Sequence, residues 1–535
     1  MQYTNPILPG FHPDPSICRV GEDFYLVTST FEYFPGLPIY HSRDLVTWEQ
    51  IGHVLTRDSQ IKLPKGAPNC LGIYAPTIRY HEGVYYCIVT NVAPPENINF
   101  IVTATDPAGE WSEPIRLPFG GIDPSLFFDD DGKVYYTGTD TGVFICEINI
   151  ETGEAIGEKQ YAWNGTGANN PEGPHLYKMN GYYYLLIAEG GTELGHMSTI
   201  ARAKEVFGPY ESCPHNPILT NRGTELPIKA IGHADLFTDA NDNWWAVCLG
   251  NRPLSYPFRH NMGRETMLVP VEWENDWPVC GTNGHVEENI SVDRVVKRTN
   301  DLGAIEENVD GTGMNANEET GVENSVTEER VVASVRDWHY IAGSNVTDKF
   351  NTTDLHPSWN YIYNPTGNLV EPTKDGVFLH GNEYALNEDE PKALICRRQE
   401  HFDFEATVQL SLLNCTDEGE TGISIYMNPR HHYEAALTFI DGMCSVVLKR
   451  QIGSLKATEV VIPYADNTVT LRLEGSKATY RFSYSTNGES FYPIGEGEAH
   501  YLTTEVGGCF TGNYIALYAA NRAESRVEEF SYKAL

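Results

Sequence analysis

Residues 121–136 read GIDPSLFFDDDGKVYY, which joins the turn signal Asp123-Pro124-Ser125 to a second turn and a pair of aromatic residues. Both markers recur in the same order along the first half of the chain. The last aromatics of the five copies lie 61, 50, 48 and 61 residues apart, at Tyr25, Tyr86, Tyr136, Tyr184 and Trp245. The upstream units begin 11 to 13 residues earlier, at Asp14, Ala75, Asp123, Glu172 and His233. An all-strand repeat of roughly 50–60 residues is typical of a propeller blade, so five repeats predict a five-bladed β-propeller.

Composition agrees with an all-β protein and excludes several functions. The chain has 535 residues, 48 of them Gly and 32 Pro, which suits many strands and turns. Hydrophobic residues make up 41%, enough for a sizeable core. The formal charge of −36 disfavours nucleic-acid and anionic-membrane partners and suits a protein that acts on a neutral ligand.

The expected compartment follows from the N-terminus and the cysteines. The chain shows no signal-peptide pattern, and its apolar runs are far shorter than the roughly 20 residues that span a bilayer. Its 11 cysteines include no CxxC pair. We therefore expect buried free thiols and a cytoplasmic protein.

Three regions are predicted. Residues 1–300 form the propeller, which we expect to be catalytic, and residues 346–535 form a β-sandwich of jelly-roll-like type. Alternating stretches such as 404–410 and 468–473 support the sandwich. Between them, 301–345 is predicted to be an acidic linker or surface excursion, because 301–330 holds nine acidic residues and no aromatics. The alternatives are an acidic loop packed on a neighbouring sheet and a variable insertion.

The repeat singles out a candidate site. Asp14, Asp123 and Glu172 open three of the five units, and inner strands of a propeller converge on its channel. Three carboxylates so close raise one another's pKa values, which favours a functional site over a structural one. Paired carboxyl groups are the machinery of glycoside hydrolysis. Glu189 and Glu193 fall outside the repeat phase and are expected to be structural.

Several motifs give the chain a family resemblance. They include NPILPGFHPDPS at 5–16, TSTFEYFPG at 28–36, GIDPSLF at 121–127, EGPHLY at 172–177, GHA at 232–234 and GRET at 263–266. In the C-terminal half, RRQ at 397–399 and FTG at 510–512 extend the likeness. Together they resemble the two-domain β-xylosidases and α-L-arabinofuranosidases of glycoside hydrolase family 43.

The resemblance implies a five-bladed propeller and an exo-acting, inverting enzyme that releases xylose or arabinose from xylo-oligosaccharides or arabinoxylan fragments. Asp14 would be the general base, Asp123 the pKa modulator and Glu172 the general acid. Arg264 would bind sugar hydroxyls or sit beside the modulator. The resemblance further implies that Phe31 contacts the sugar, that Phe510 closes the pocket from the sandwich and that His233 lies near the channel centre, while Tyr74 is an aromatic candidate for substrate binding at the channel mouth. The structural alternatives are a core histidine at His233, a surface ion pair for Arg264 and ordinary sandwich core for Phe510.

Some points stay open. No cofactor is expected, although relatives that hold a channel calcium beside this His leave a structural Ca2+ at His233 as an option. The chain has Tyr74-Ala75-Pro76-Thr77 where the family often has Trp-Ala-Pro-Asp, so xylose against arabinose is undecided. Homo-oligomerisation is undecided too. The alternatives are a catalytically silent carbohydrate-binding protein on this scaffold and a fructan-cleaving enzyme of the related family 32.

Overall fold

The computed structural model describes residues 1–63, 70–95, 97–294, 296, 340–414, 418–508 and 510–535. Within these ranges the chain is almost entirely β. The helices found there are one 3-10 turn, Ala499–Tyr501, and one α-helical turn, Thr504–Gly507. None of the described helices is long and apolar enough to cross a membrane.

The described residues of 1–294 form five antiparallel sheets whose strands follow one another along the chain, each starting with a strand that overlaps an upstream marker; the first sheet skips the short strand Tyr33–Phe34. The first sheet also takes in the later strand Tyr340–Ile341 at its outer edge. The five sheets contain, in order, Ser16–Val20, Asp23–Val27, Gly36–Ser42 and Glu49–Leu55; Ile73–His81, Val84–Asn91, Ile98–Ala104 and Ile115–Arg116; Ile122–Phe128, Val134–Thr139, Val143–Ile148 and Ala155–Tyr161; Glu172–Met179, Tyr182–Glu189, Met197–Ala203 and Glu211–Ser212; Lys229–Thr238, Trp244–Asn251, Glu265–Glu274 and Trp277–Cys280.

The first strands of these sheets contact one another in a closed ring, the fifth returning to the first, which is a propeller-type arrangement. The N-terminus helps to close it. Strand Gln2–Thr4 pairs with Asn289–Ser291, and Leu8 bridges to Thr266 of the fifth sheet. The beginning and the end of the segment 1–294 are therefore bonded to each other where the ring closes.

Residues 346–534 form two facing antiparallel sheets around a core of their own. A sandwich of this kind buries alternate side chains of each strand between the sheets. One sheet contains Val346–Asp348, Val370–Thr373, Gly376–His380, Phe404–Asn414, Thr468–Gly475, Thr479–Ser485, Tyr492–Glu498 and Glu524–Ala534, and the other contains Ala393–Arg398, Glu420–Asn428, His431–Ile440, Met443–Ile452, Leu455–Pro463 and Tyr514–Ala520.

The sandwich is docked on the propeller. Strand Tyr33–Phe34 pairs with Tyr361–Ile362, and the rings of Tyr33 and Tyr514 stack at 3.8 Å. A single apolar cluster contains residues of both parts. The pocket described below is therefore built where the ring of sheets and the sandwich meet.

The structure bears on the predicted acidic segment and on the predicted free thiols. Residues 297–339, most of the proposed acidic segment, lie outside the described residues, while Tyr340 pairs with Gln50 and so ends that segment on the first sheet. The expectation of free thiols is wrong for Cys70, which is disulfide-bonded. Eight other described cysteines are free, seven of them buried.

Candidate active site

A pocket of about 690 Å³ opens where the first strands of the ring begin, beneath a segment of the sandwich. A volume of this size suits a small organic ligand. The pocket brings together all eight residues singled out from the sequence: Asp14, Phe31, Tyr74, Asp123, Glu172, His233, Arg264 and Phe510.

Local backbone geometry explains why these side chains face the pocket. Asp14, Asp123 and His233 have left-handed φ angles of 52°, 54° and 52°. The pairing register of the strand shifts between Ile122 and Ser125, and again between Gly232 and Asp235. A bulge re-aims a side chain, and a left-handed non-glycine residue is a strained position that clusters at functional sites.

The strand registers correct one detail of the repeat. Glu172 pairs with Ala188 as Ile122 pairs with Thr139, so Gly173 rather than Glu172 is the structural equivalent of Asp123. The expected equivalence was one residue off because a bulge brings two consecutive residues to the pocket. The second sheet behaves alike: its register places Tyr74, not Ala75, at the Asp123 position.

Asp14 is almost completely buried and held by two donors. The Ser29 hydroxyl donates to its Oδ2 at 2.6 Å, and Arg264 Nη1 donates to its Oδ1 at 2.8 Å. The Nδ1 atom of His233 lies 3.5 Å from the same Oδ1. Charge-assisted bonds of this type are short and directional. They hold the Asp14 carboxyl group in a fixed orientation in the pocket.

Asp123 lies in a different environment. Burial raises its pKa to about 7; His233 lowers the value, whereas Glu172 and Asp14 raise it. The backbone N–H of Gly173 donates to its Oδ2 at 3.0 Å. The Arg264 guanidinium bonds Asp14 rather than Asp123, and it also lines the pocket, so its contact with sugar hydroxyls stays a prediction.

Glu172 has the properties of a proton donor. Burial, and then the charge of Asp14, raise its pKa to about 7, while one fifth of its side chain remains exposed in the pocket. Its Oε1 lies 4.0 Å from Nε2 of the fully buried His196. The other nitrogen of that ring bonds the carbonyl of Ala230, and burial lowers the pKa of His196 to about 3. A neutral imidazole acceptor beside a carboxyl group suits its protonated form.

Aromatic rings form one wall of the pocket. The ring of Phe31 lies 4.9 Å from that of Tyr74 and 6.1 Å from that of Phe510, which comes from the sandwich. The Arg264 guanidinium lies 5.4 Å from the Phe31 ring and 5.8 Å from the Phe510 ring. Such faces pack against the C–H groups of a sugar ring. The wall therefore depends on both parts of the chain.

A polar cluster lies further along the same strands. The Arg79 guanidinium bonds both carboxylate oxygens of Asp235, at 2.8 and 3.0 Å, and His175 Nδ1 at 3.0 Å. Burial alone would raise the pKa of Asp235, but the charge of Arg79 brings it well below the usual range. Ser16 donates to Asp235 and Ser125 bonds His175, so all five sheets contribute.

The same neighbourhood bears on the calcium option at His233. No group of three or more His, Cys, Asp or Glu side chains among the described residues could hold a metal ion. His233 shares Asp14 with a guanidinium, and a calcium site needs several oxygen ligands free of such a cation. These residues do not fit the ion.

Several pocket residues escaped the sequence reasoning. They include Glu193, Leu194, Phe258, His260 and Glu505, of which Glu193 and Leu194 are exposed at the rim and His260 is buried. We expected Glu189 and Glu193 both to be structural. Glu189 is buried and accepts bonds from Thr166 and Thr199, which agrees with a structural role, whereas Glu193 lines the pocket. The rim residues belong to loops and to the sandwich, so no periodic signal could have connected them.

The arrangement places two carboxyl groups with different surroundings in one pocket. Asp14 is bonded to a permanent cation, and Glu172 has a pKa raised to about 7. Carboxyl groups whose environments push their proton affinities apart are typical of acid–base pairs in glycoside hydrolysis.

Comparison with known proteins agrees with this interpretation of the pocket. Residues 3–278 match the model of glycosyl hydrolases family 43, and residues 347–533 match the beta xylosidase C-terminal concanavalin A-like domain. A non-reducing end alpha-L-arabinofuranosidase of Bacteroides ovatus is 35% identical, covering 98% of this chain and 92% of its own. A xylosidase/arabinosidase of Butyrivibrio fibrisolvens is 36% identical over 98% and 96% of the two chains.

A solved structure shares the whole architecture. The Bacteroides ovatus xyloglucan-locus protein of family 43 superposes with a TM-score of 0.87, at 33% identity, over 100% of both chains. The family 32 alternative is therefore wrong, and the fold, the two matched domains and the pocket agree: the chain belongs to glycosyl hydrolase family 43.

Proposed function

We propose that the enzyme removes xylose, arabinose or both from the non-reducing ends of xylo-oligosaccharides or arabinoxylan fragments, with inversion at the anomeric carbon. The observation that supports this best is the pairing of Asp14, bonded to Arg264, with Glu172, whose pKa is raised to about 7. The full-length relatives named for arabinofuranosidase and xylosidase activities supply the substrate class.

In the proposed mechanism, Asp14 accepts a proton from a water molecule as the water oxygen attacks the anomeric carbon. The bond to the leaving oxygen breaks, and Glu172 transfers its proton to that oxygen. Asp123 has the proposed role of orienting group and pKa modulator, while burial and the charge of Asp14 raise the pKa of Glu172 to about 7. Each turnover leaves Asp14 protonated and Glu172 ionised, and exchange with solvent restores both. No step needs a metal or an organic cofactor.

The five sheets are proposed to be the five blades of one propeller. Their closed ring of first strands supports this, and so does the Arg79 cluster, to which every sheet contributes a side chain. On this view Asp14, Asp123 and Glu172 belong to blades one, three and four. Acid and base on separate blades leave room for a water molecule, as an inverting enzyme requires.

An exo action is supported by the shape of the pocket. Phe31, Tyr74 and Phe510 close one side, while the rim with Leu194 and Phe258 stays open. A terminal sugar can enter such a pocket with its leaving group towards the open rim. A continuing chain on the aromatic side would collide with the wall.

The test is a substrate panel read by proton NMR. Nitrophenyl β-xyloside, nitrophenyl α-arabinofuranoside and xylobiose are incubated with the enzyme and with Asp14→Asn. We expect cleavage of at least one glycoside by wild type alone, and early product of the opposite anomeric configuration. Early product that keeps the configuration would exclude inversion. Sugar binding without cleavage of any of the three would instead indicate a catalytically silent binding protein.

A further inference from the structure

Two segments of the pocket rest on the sandwich at a shared point. Asn261 lies three residues before Arg264, and Asn513 lies three residues after Phe510. The backbone N–H of Asn513 donates to the carbonyl of Asn261 at 2.8 Å. The segments that deliver Arg264 and Phe510 are thus joined side by side.

Glycines allow this approach. A Cβ atom on Gly263 would lie 2.8 Å from the backbone nitrogen of Gly512, and one on Gly512 would lie 2.3 Å from the carbonyl oxygen of Met262. Real Cβ atoms do not come so near to backbone, so the backbones of the two segments touch without side chains between them. Their relative position is therefore set closely.

The hydroxyl of Tyr480 lies at the centre of this junction. It donates to Gln399 Oε1 at 2.7 Å and accepts bonds from Asn261 Nδ2 at 2.6 Å and Asn513 Nδ2 at 2.9 Å. One hydroxyl has one proton and two lone pairs, so its hydrogen-bonding capacity is fully used. Tyr480, Asn261, Asn513 and Gln399 are each at most 1% exposed.

A buried hydroxyl costs free energy unless it is bonded, so an apolar core gains little from a tyrosine where phenylalanine would fit. The ring of Tyr480 belongs to the sandwich core, but two of its three partners belong to the pocket segments. Its hydroxyl therefore contributes mainly to where those segments lie.

We propose that Tyr480 is a positioning residue for catalysis: its hydroxyl fixes Asn261 and Asn513, and through them Arg264 against Asp14 and Phe510 over the pocket. This rests on the proposed function, in which Asp14 is the base. The sandwich then acts on the base of the propeller and does more than supply one aromatic ring.

The main variant is Tyr480→Phe, which removes one oxygen atom. Its matched control is Tyr433→Phe, because Tyr433 is also fully buried in the sandwich but donates to the Glu498 carbonyl, away from the pocket. We expect Tyr480→Phe to lower kcat/KM for a nitrophenyl glycoside roughly 10- to 100-fold, the size of effect that a small misplacement of catalytic groups produces. The control should stay within about twofold of wild type.

A second arm asks whether the effect passes through Arg264. In an Arg264→Ala background, Tyr480→Phe should lower kcat/KM clearly less than it does in wild type, since one of its two targets is gone and only the effect through Phe510 remains. Asn261→Ala leaves Tyr480 in place and should reproduce the loss, which covers the case that Tyr480→Phe does not fold. Hydrogen exchange at the backbone amides of 261–264 and 510–513 should be faster in Tyr480→Phe than in wild type, and it should be unchanged there in Tyr433→Phe.

The outcomes separate the two proposals. A wild type that cleaves no glycoside contradicts the proposed function, and hydrogen exchange then decides the role of Tyr480. An active wild type with an unaffected Tyr480→Phe, an equal loss in Tyr433→Phe, or a loss undiminished in the Arg264→Ala background would each overturn the positioning role. Unchanged exchange at both segments would do the same.

Discussion

At the residue scale, the three carboxyl groups of the pocket differ in their burial and in whether a cation is bonded to them. Asp14 is bonded to Arg264, whereas Asp123 and Glu172 have no positively charged hydrogen-bond partner among the described residues, and burial raises the pKa of each to about 7. Because the groups also repel one another, their titrations are linked and a measured pH profile will report the pair rather than one residue.

The role of Glu172 can be tested through the leaving group. Glu172→Ala should cripple cleavage of xylobiose, whose leaving oxygen needs a proton, and should partly spare a substrate with an acidic phenol. The gap between the two substrates should be on the order of 10²–10⁴-fold, the usual size of general acid catalysis. Asp14→Ala should lower both rates alike, because water must still be activated. Equal losses for Glu172→Ala on both substrates would contradict its role as the acid.

The raised pKa of Glu172 also has a cost in stability. Between its ordinary value of 4.5 and about 7, the unfolded chain releases this proton while the folded chain keeps it, so the fold loses stability as pH rises through that window. At pH 8, Glu172→Gln should therefore be more stable than wild type by about 1–3 kcal/mol.

The measurement is urea unfolding at pH 4 and pH 8. The gain for Glu172→Gln should vanish at pH 4, where folded and unfolded chains are both protonated at this position. Glu193→Gln, at an exposed rim carboxylate, is the control and should change stability at neither pH. A gain of equal size at both pH values would show that the glutamine acts by packing and not through the charge.

At the element scale, the hairpin that carries Glu172 shows what one glycine contributes. Gly173 has φ of +58°, and a Cβ there would lie 2.8 Å from the His233 ring. Gly181 turns the same hairpin at its far end with φ of +70°, and nothing lies within 4 Å of a Cβ there. Both positions favour glycine, but only Gly173 is also needed for close packing in the pocket.

Gly173→Ala should therefore lower both stability and kcat/KM, whereas Gly181→Ala should lower stability alone. The left-handed backbone costs alanine about 1 kcal/mol at each position, so the two variants should lose similar free energy of unfolding from that source. The additional contact with His233 should displace Glu172 or His233 and lower kcat/KM for Gly173→Ala. Full activity in Gly173→Ala would show that the bulge tolerates a side chain.

The hairpins also show how far sequence could be followed. The aromatic pairs and the upstream units predicted the strands and which strand begins each sheet, because both have local signatures. The one-residue error at Glu172 and Ala75 arose because a bulge shifts register without changing composition. The Arg264–Asp14 bond joins residues 250 apart in sequence, and the resemblance left the partner of Arg264 open. His196, Glu505 and Tyr480 reach the site only through tertiary packing.

At the scale of the whole molecule, the ring of sheets encloses a charge cluster. Arg79 lies on the second sheet and Asp235, which has no exposed side-chain surface, on the fifth. The cluster is bonded to the first, third and fourth sheets by Ser16, Ser125 and His175. A bound ion could provide such cross-linking in a ring, but here the cation is a side chain.

Arg79→Met should consequently weaken the entire ring. It would leave Asp235 buried beside no cation, and removal of one partner of a buried pair typically costs about 3–5 kcal/mol. Combining it with Asp235→Asn removes the stranded charge and should restore part of the loss. Arg43→Met breaks an exposed pair with Asp23 and should cost less than about 1 kcal/mol, as surface pairs do.

The Tm of wild type should be unchanged by EDTA or by added Ca2+, because Arg79 already supplies the positive charge. A Tm that falls in EDTA and recovers with Ca2+ would contradict this account of the centre of the ring.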